Sequence, residues 1–173
     1  SQRFFYNETL SDNAHAQLDV NVGTPAAIAS GGDGLFSADL LRVLQDWTFY
    51  YQGVYAAELF LDNVDRNTSM PASLKDRMKA EARFIRAYQY FNLMKWFGDV
   101  PLITKAGKVD DVEATRSVTR APKAQVLKFI LDELDAAALA LPKNEDYASA
   151  DKGRVTKGDA KALTERRLLY EGN

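Results

Sequence analysis

From Asp39 onward apolar residues recur at three- and four-residue steps. Leu40, Leu44, Trp47, Tyr51, Val54 and Leu61 share one face of the helix that this spacing predicts over residues 39–64. Glu58 stands on that stripe where an apolar residue belongs. An unpaired carboxylate is costly to bury, so a rim position reached by water is the expectation for it. Asn67, Ser69 and Pro71 punctuate the next connection, Ser73 is placed to act as an N-cap, and a second helix is predicted over 73–97. Its later half, from Phe84 through Tyr88, Phe91 and Met94 to Phe97, is apolar nearly all round, the pattern of a helix packed between neighbours. Arg77 and Glu81, four apart, are expected to pair on its exposed face.

Gly98 suits the C-terminal cap of this helix, and Pro101 keeps the helix from resuming. Residues 98–119 then read as a connection, extended around Val100-Pro-Leu-Ile103. Pro122 falls in the first turn of a third helix, where its missing N–H is harmless. Val126, Phe129, Ile130, Leu134, Ala137 and Leu141 give that helix an amphipathic stripe up to Pro142. After a polar stretch, Thr156 is expected to cap a fourth helix over 157–171, with a weaker stripe of Ala160, Leu163, Arg167 and Tyr170. Four helices joined by short or moderate connections predict an all-α region over 39–173, built of tetratricopeptide-like antiparallel helix pairs.

Residues 1–38 differ in kind. They lack sustained periodicity and carry turn formers at Asn13, Gly23-Thr-Pro25 and Ser30-Gly-Gly-Asp-Gly34, so a long irregular N-terminal arm is predicted there. Loops of such length in compact domains are often functional, which makes the arm the first place to look for a site.

Composition narrows the chemistry. The hydrophobic fraction of 46% in 173 residues is enough for a core, and a net charge of −2 with scattered cations argues against nucleic acid as a partner. With no cysteine and with His15 as the single histidine, a disulfide, a thiolate nucleophile, Cys-ligated zinc and a multi-histidine metal centre are all excluded. Gly31-Gly-Asp-Gly34 lacks both EF-hand ligand spacing and the Lys-Ser/Thr ending of a phosphate loop, so neither metal nor cofactor is expected. No apolar run approaches the roughly 20 residues that span a bilayer. The chain reads as soluble, or as a soluble piece of something anchored elsewhere.

Three separated strings share one likeness. They are Glu81-Ala-Arg-Phe-Ile-Arg-Ala-Tyr-Gln-Tyr-Phe with Phe97-Gly-Asp-Val-Pro-Leu102, then Arg120 with Asp132-Glu-Leu134 and Leu141-Pro142, then Gly153-Arg-Val-Thr-Lys-Gly158 with Ala160 and Ala162-Leu163. In order and spacing they resemble the SusD/RagB family of outer-membrane nutrient-binding lipoproteins. Trp47, Tyr51 and Asn63 look similar too. The chain departs from the family pattern at Glu58, where Asn is expected, and at Thr164, Glu165 and Arg167, where family members stay apolar. Family members are also much longer and begin at a lipid-modified cysteine. The resemblance therefore implies an N-terminal fragment whose membrane association runs through an anchor absent from this chain.

What the resemblance implies is an all-helical tetratricopeptide scaffold that holds glycans or similar nutrients at the cell surface for a SusC-like TonB-dependent transporter. Sugar sites combine aromatic faces with Asp, Asn, Arg or Gln for the hydroxyls. Ser11-Asp-Asn-Ala14 looks like the family's segment that turns polar groups towards ligand. Asp12 and Asn13 are the expected hydroxyl contacts, with His15 and Tyr6 as neighbours; an Asx turn in which the two side chains bond their own backbone is the competing reading. In the run Trp47, Phe49, Tyr50, Tyr51, the first and last are expected in the core, while Phe49 and Tyr50 are candidates to line a groove. Arg83 and Arg86 are expected to pair with Glu81 or Asp99. Two other function classes remain open: a protein-interaction scaffold without a ligand of its own, and a glycoside hydrolase built on paired carboxylates, for which no motif places the pair.

Overall fold

The computed structural model describes residues 41–107 and 118–171. The arm expected over 1–38 lies outside the described residues. The chain divides into two compact units, 1–49 and 50–173, and the helices pack on one another within the second.

Helix α1 covers Leu41–Asn63 and runs into a 3-10 turn at Val64–Arg66. Helix α2 follows at Ala72–Phe97, and the segments β1 (Val100–Pro101) and β2 (Arg120–Ala121) form a two-residue antiparallel ladder. Helix α3 is Lys123–Ala140, and 3-10 turns at Asn144–Asp146 and Ser149–Asp151 lead to α4, Lys157–Glu171. The described residues are thus all-α apart from the small ladder.

Side-chain pairing shows the helix directions. Contacts between Tyr51 and Tyr90 and between Glu58 and Arg86, continued by Asp65 of the 3-10 turn with Lys79, run α1 antiparallel to α2. Arg86 with Glu133 and Tyr90 with Phe129 do the same for α2 and α3. A Cβ placed on Gly53 would lie 2.7–2.9 Å from the Gln89 side chain, so the glycine admits a close crossing of α1 and α2. Tyr90, Leu93, Val126, Ile130 and Leu134 form the fully buried centre. Farther along, Ala80, Ala137 and Ala160 let α2, α3 and α4 meet through small residues, with Leu141 buried among them and Phe84 and Val155 packed against the cluster.

Helix ends follow the sequence signals at Gly98 and Thr156 and depart from them at Pro122 and Ser73. Gly98 has φ +69°, a backbone that side-chain-bearing residues avoid, and its N–H bonds the Met94 carbonyl at 3.0 Å. Thr156 and Asp159 make a reciprocal cap: Thr156 Oγ1 accepts the Asp159 N–H at 3.2 Å, and Asp159 Oδ2 accepts the Thr156 N–H at 2.9 Å. Pro122 sits one residue before α3, its carbonyl accepting the first turn's N–H groups. Ser73 does not cap α2. Pro71, with φ −55° already close to helical, starts the helix at Ala72, and its carbonyl accepts the Lys75 N–H at 3.0 Å.

The second half of α2 is not buried on all sides, as its composition had suggested. Ala87, Tyr90, Phe91, Leu93 and Met94 are buried, whereas Ile85 (44%), Tyr88 (44%) and Trp96 (41%) are exposed. Positions 85, 88 and 96, with 92 between them, fall on one stripe of the helix. This stripe points away from the arc that packs on α1 and α3.

Candidate functional site

Of the site residues read from sequence, Tyr6, Asp12, Asn13 and His15 lie outside the described residues. Tyr50 is described, and it is buried, 9% exposed, leaving little ring face for a groove. The buried stripe of α1 runs through Tyr50, Val54 and Ala57, four and three residues apart, rotated from the stripe that Trp47 and Tyr51 define. Phe49 is exposed, whereas Trp47 and Tyr51 are half-buried.

Glu58 is also placed differently from expectation. It is 1% exposed, because Arg86 reaches it from α2. Arg86 Nη1 donates to Glu58 Oε1 at 2.6 Å, its Nε donates to Glu133 Oε2 at 2.9 Å, and its Nη2 bonds the same Glu133 oxygen. Arg83 Nη1 pairs with Glu133 Oε1 at 3.5 Å, and the Arg86 guanidinium lies 5.2 Å from the Phe129 ring centre. Arg83 and Arg86 therefore pair with Glu133 and Glu58. Glu81 is taken by Arg77 and Arg154, and Asp99 caps another helix.

Electrostatics follow from the burial. Loss of water pushes the Glu58 carboxyl up, and the hydrogen bond and charge of Arg86 oppose this without cancelling it. For Arg86 burial works against the charge, yet the Glu133 and Glu58 carboxylates outweigh it and hold the guanidinium protonated. Two acids locked on one guanidinium and shut from water are poorly placed for acid–base work on a glycosidic bond.

The chain beyond α2 is fixed by side chains gripping its backbone. Asp99 Oδ1 accepts the Lys123 N–H at 2.7 Å, capping α3, while Arg120 Nη1 donates to the Asp99 carbonyl at 2.7 Å. Tyr51 Oη donates to the Pro101 carbonyl at 2.7 Å, and Tyr90 Oη both donates to the Ile103 carbonyl (2.9 Å) and accepts the Ile103 N–H (2.7 Å). Asp62 Oδ2 accepts the Ala106 N–H at 3.1 Å. Burial pushes both phenols well above their ordinary range, so they remain donors.

A second clamp holds the α3–α4 connection. Arg154 bonds Glu81 and Asp151, both at 2.8 Å, while Arg77 pairs with Asp151 at 3.3 Å and with Glu81 at 3.8 Å. Arg77 also lies 5.7 Å from the Tyr147 ring centre, and Tyr147 Oη donates to the Val155 carbonyl at 2.7 Å. Each of the three strings thus supplies ion pairs, caps or turns. Sequence reasoning missed the Glu58–Arg86–Glu133 cluster, and its signal was an acid at an apolar-stripe position in each of two helices.

The family profile described as "Starch-binding associating with outer membrane" matches residues 5–169. The chain belongs to the SusD-like family. A SusD-like protein of Formosa agariphila is 28% identical over 137 residues, 79% of this chain and 25% of the relative. One from Bacteroides ovatus is 31% identical over 119 residues, 68% of this chain and 20% of the relative. This chain therefore spans a quarter or less of the length of these SusD-like relatives. Among solved structures, a SusD-like carbohydrate-binding protein of Bacteroides fragilis has a TM-score of 0.79 at 29% identity, covering 95% of this chain and 30% of that one. A laminarin-binding SusD-like protein has a TM-score of 0.75 at 31% identity, covering 85% and 30%.

Proposed function

We propose that this SusD-like chain takes part in holding an oligosaccharide or comparable nutrient at the bacterial outer surface, without chemical turnover, for delivery to a SusC-like TonB-dependent transporter. The observation that carries the reading is the family match over residues 5–169, reinforced by similarity to solved proteins named for carbohydrate and laminarin binding. Attachment to the outer membrane through a lipid anchor belongs to the same proposal. Asp12 and Asn13 are the proposed hydroxyl contacts, with His15 and Tyr6 beside them. Tyr50, read from sequence as a groove-lining contact, belongs to the proposal only through the small part of its ring that is exposed.

The test is binding and product analysis on a panel of neutral polysaccharides that includes laminarin and starch. Binding without release of shorter sugars is the expected result. Asp12→Ala with Asn13→Ala should weaken affinity by roughly fivefold to a hundredfold while the melting temperature holds, since a pair of hydrogen bonds is worth roughly 1–3 kcal/mol. Release of shorter products would favour a hydrolase. A silent panel with successful capture of the transporter would favour a pure interaction scaffold.

A further inference from the structure

The seam between α1 and α2 repeats along both helices. On α1, Tyr50, Val54, Ala57 and Leu61, continued by Val64 of the 3-10 turn, are buried or half-buried at alternating steps of four and three residues. On α2, Ala82, Arg86, Gln89 and Leu93 follow the same steps, and Arg86 and Gln89 meet α1 at Glu58 and Gly53. A repeating apolar seam closes almost equally well after one helix slides by a turn, because each buried position is replaced by the next. Residues 64–71, which join the two helices, are long enough to absorb such a slide of about 5.4 Å.

Most other contacts across the seam select weakly among these positions. Lys79 with Asp65 and the Ala106 N–H with Asp62 are exposed bonds, for which water is a ready substitute. Gln89 meets Gly53 with the flexible end of its side chain. Tyr51 bonds the Pro101 carbonyl, beyond the end of α2.

The buried charges behave differently. A slide of one turn in one direction sets Val54 opposite Arg86, and a slide in the other sets Asp62 there, four residues on either side of Glu58. Both strand the Glu58 carboxylate, which is 1% exposed, away from its guanidinium. A carboxylate buried without its partner carries a heavy penalty. Arg86 cannot follow α1, because its Nε and Nη2 are held by Glu133 of α3. In paired helices a buried polar group among apolar ones selects one register by the same means.

We infer that Glu58, Arg86 and Glu133 form a register lock, a buried triad that selects one sliding position of α1 on α2 where the apolar seam alone admits several. The lock acts through the helices themselves and does not depend on what the chain binds.

The chain has no cysteine, so spin labels can be introduced singly or in pairs. Gln52 on α1 and Asp76 on α2 are exposed and clear of the triad. Electron–electron double resonance between labels on Gln52→Cys and Asp76→Cys of the full chain should give one distance. Adding Glu58→Leu, Arg86→Met and Glu133→Leu should leave the helices folded by circular dichroism and bring in a second distance, displaced by about 5.4 Å. Moving the acid by one turn instead, with Glu58→Leu and Asp62→Glu, should draw α1 to the slid position and lengthen the label distance by about the same step. A triple variant that folds with the single wild-type distance overturns the lock. Should the triple variant not fold, the moved-acid variant decides, and the wild-type distance kept there overturns the lock.

Discussion

Replacing Arg86 by methionine keeps most of the side-chain volume and removes the charge that Glu58 and Glu133 share. With those residues 1% and 6% exposed, neither carboxylate can recover its lost partner from water. Breaking a buried pair by removing one partner costs about 3–5 kcal/mol, and two orphaned acids place this change at the upper end. For a chain of 173 residues that corresponds to a fall in melting temperature of roughly 6–20 °C. Urea unfolding followed by circular dichroism measures it, with equal slopes showing that stability alone has changed. The decisive companion is the triple change Glu58→Leu, Arg86→Met, Glu133→Leu. It leaves no buried charge and should recover most of the loss. If Arg86→Met loses under about 1 kcal/mol, or if the triple variant is no more stable than Arg86→Met, the three side chains are not a coupled buried unit and the reasoning fails.

Glu58 gives a pH-dependent prediction whose sign is set by its raised pKa in the folded state. Between the ordinary glutamate value and that raised value, the folded protein binds a proton that the unfolded chain has released, so this group's contribution to stability falls as pH rises through the interval. The stability of wild type minus that of Glu58→Gln, measured by urea unfolding across a pH series, should therefore decline with rising pH and then level off; a difference that climbs would refute the assignment. Asp99→Ala removes the side-chain cap of α3 and should cost about 1 kcal/mol. Hydrogen exchange should speed up selectively at Lys123 and its first-turn neighbours, and uniform exchange along α3 would count against the capping role.

The helices were legible because each carries its own local signals. Gly98, Thr156 and the stripe from Val126 to Leu141 act within a few residues of where they are read. What escaped depends on which arcs of different helices meet. Glu58 looked like a rim residue because its partner Arg86 lies 28 positions away on another helix, with Glu133 a further 47 beyond on a third, and no spacing rule links the three. Tyr88 and Trp96 looked like core because composition alone cannot say how many neighbours a helix has. The arm residues Asp12 and Asn13 were singled out through the family's pattern, since an Asx turn and a sugar contact use the same side chains in the same local sequence.

The grip on residues 99–106 separates two tasks that a single connection would otherwise mix. Asp99, Arg120 and the β1–β2 ladder join the end of α2 to the start of α3, and Tyr51, Tyr90 and Asp62 hold the chain as far as Ala106. Among the described residues, these contacts hold the chain on both sides of the interval between 107 and 118. Lengthening that interval adds only about 0.6 kcal/mol of closure entropy for each doubling. An insertion there, such as a recognition peptide or an affinity tag, meets a helix alignment already held by contacts outside the interval.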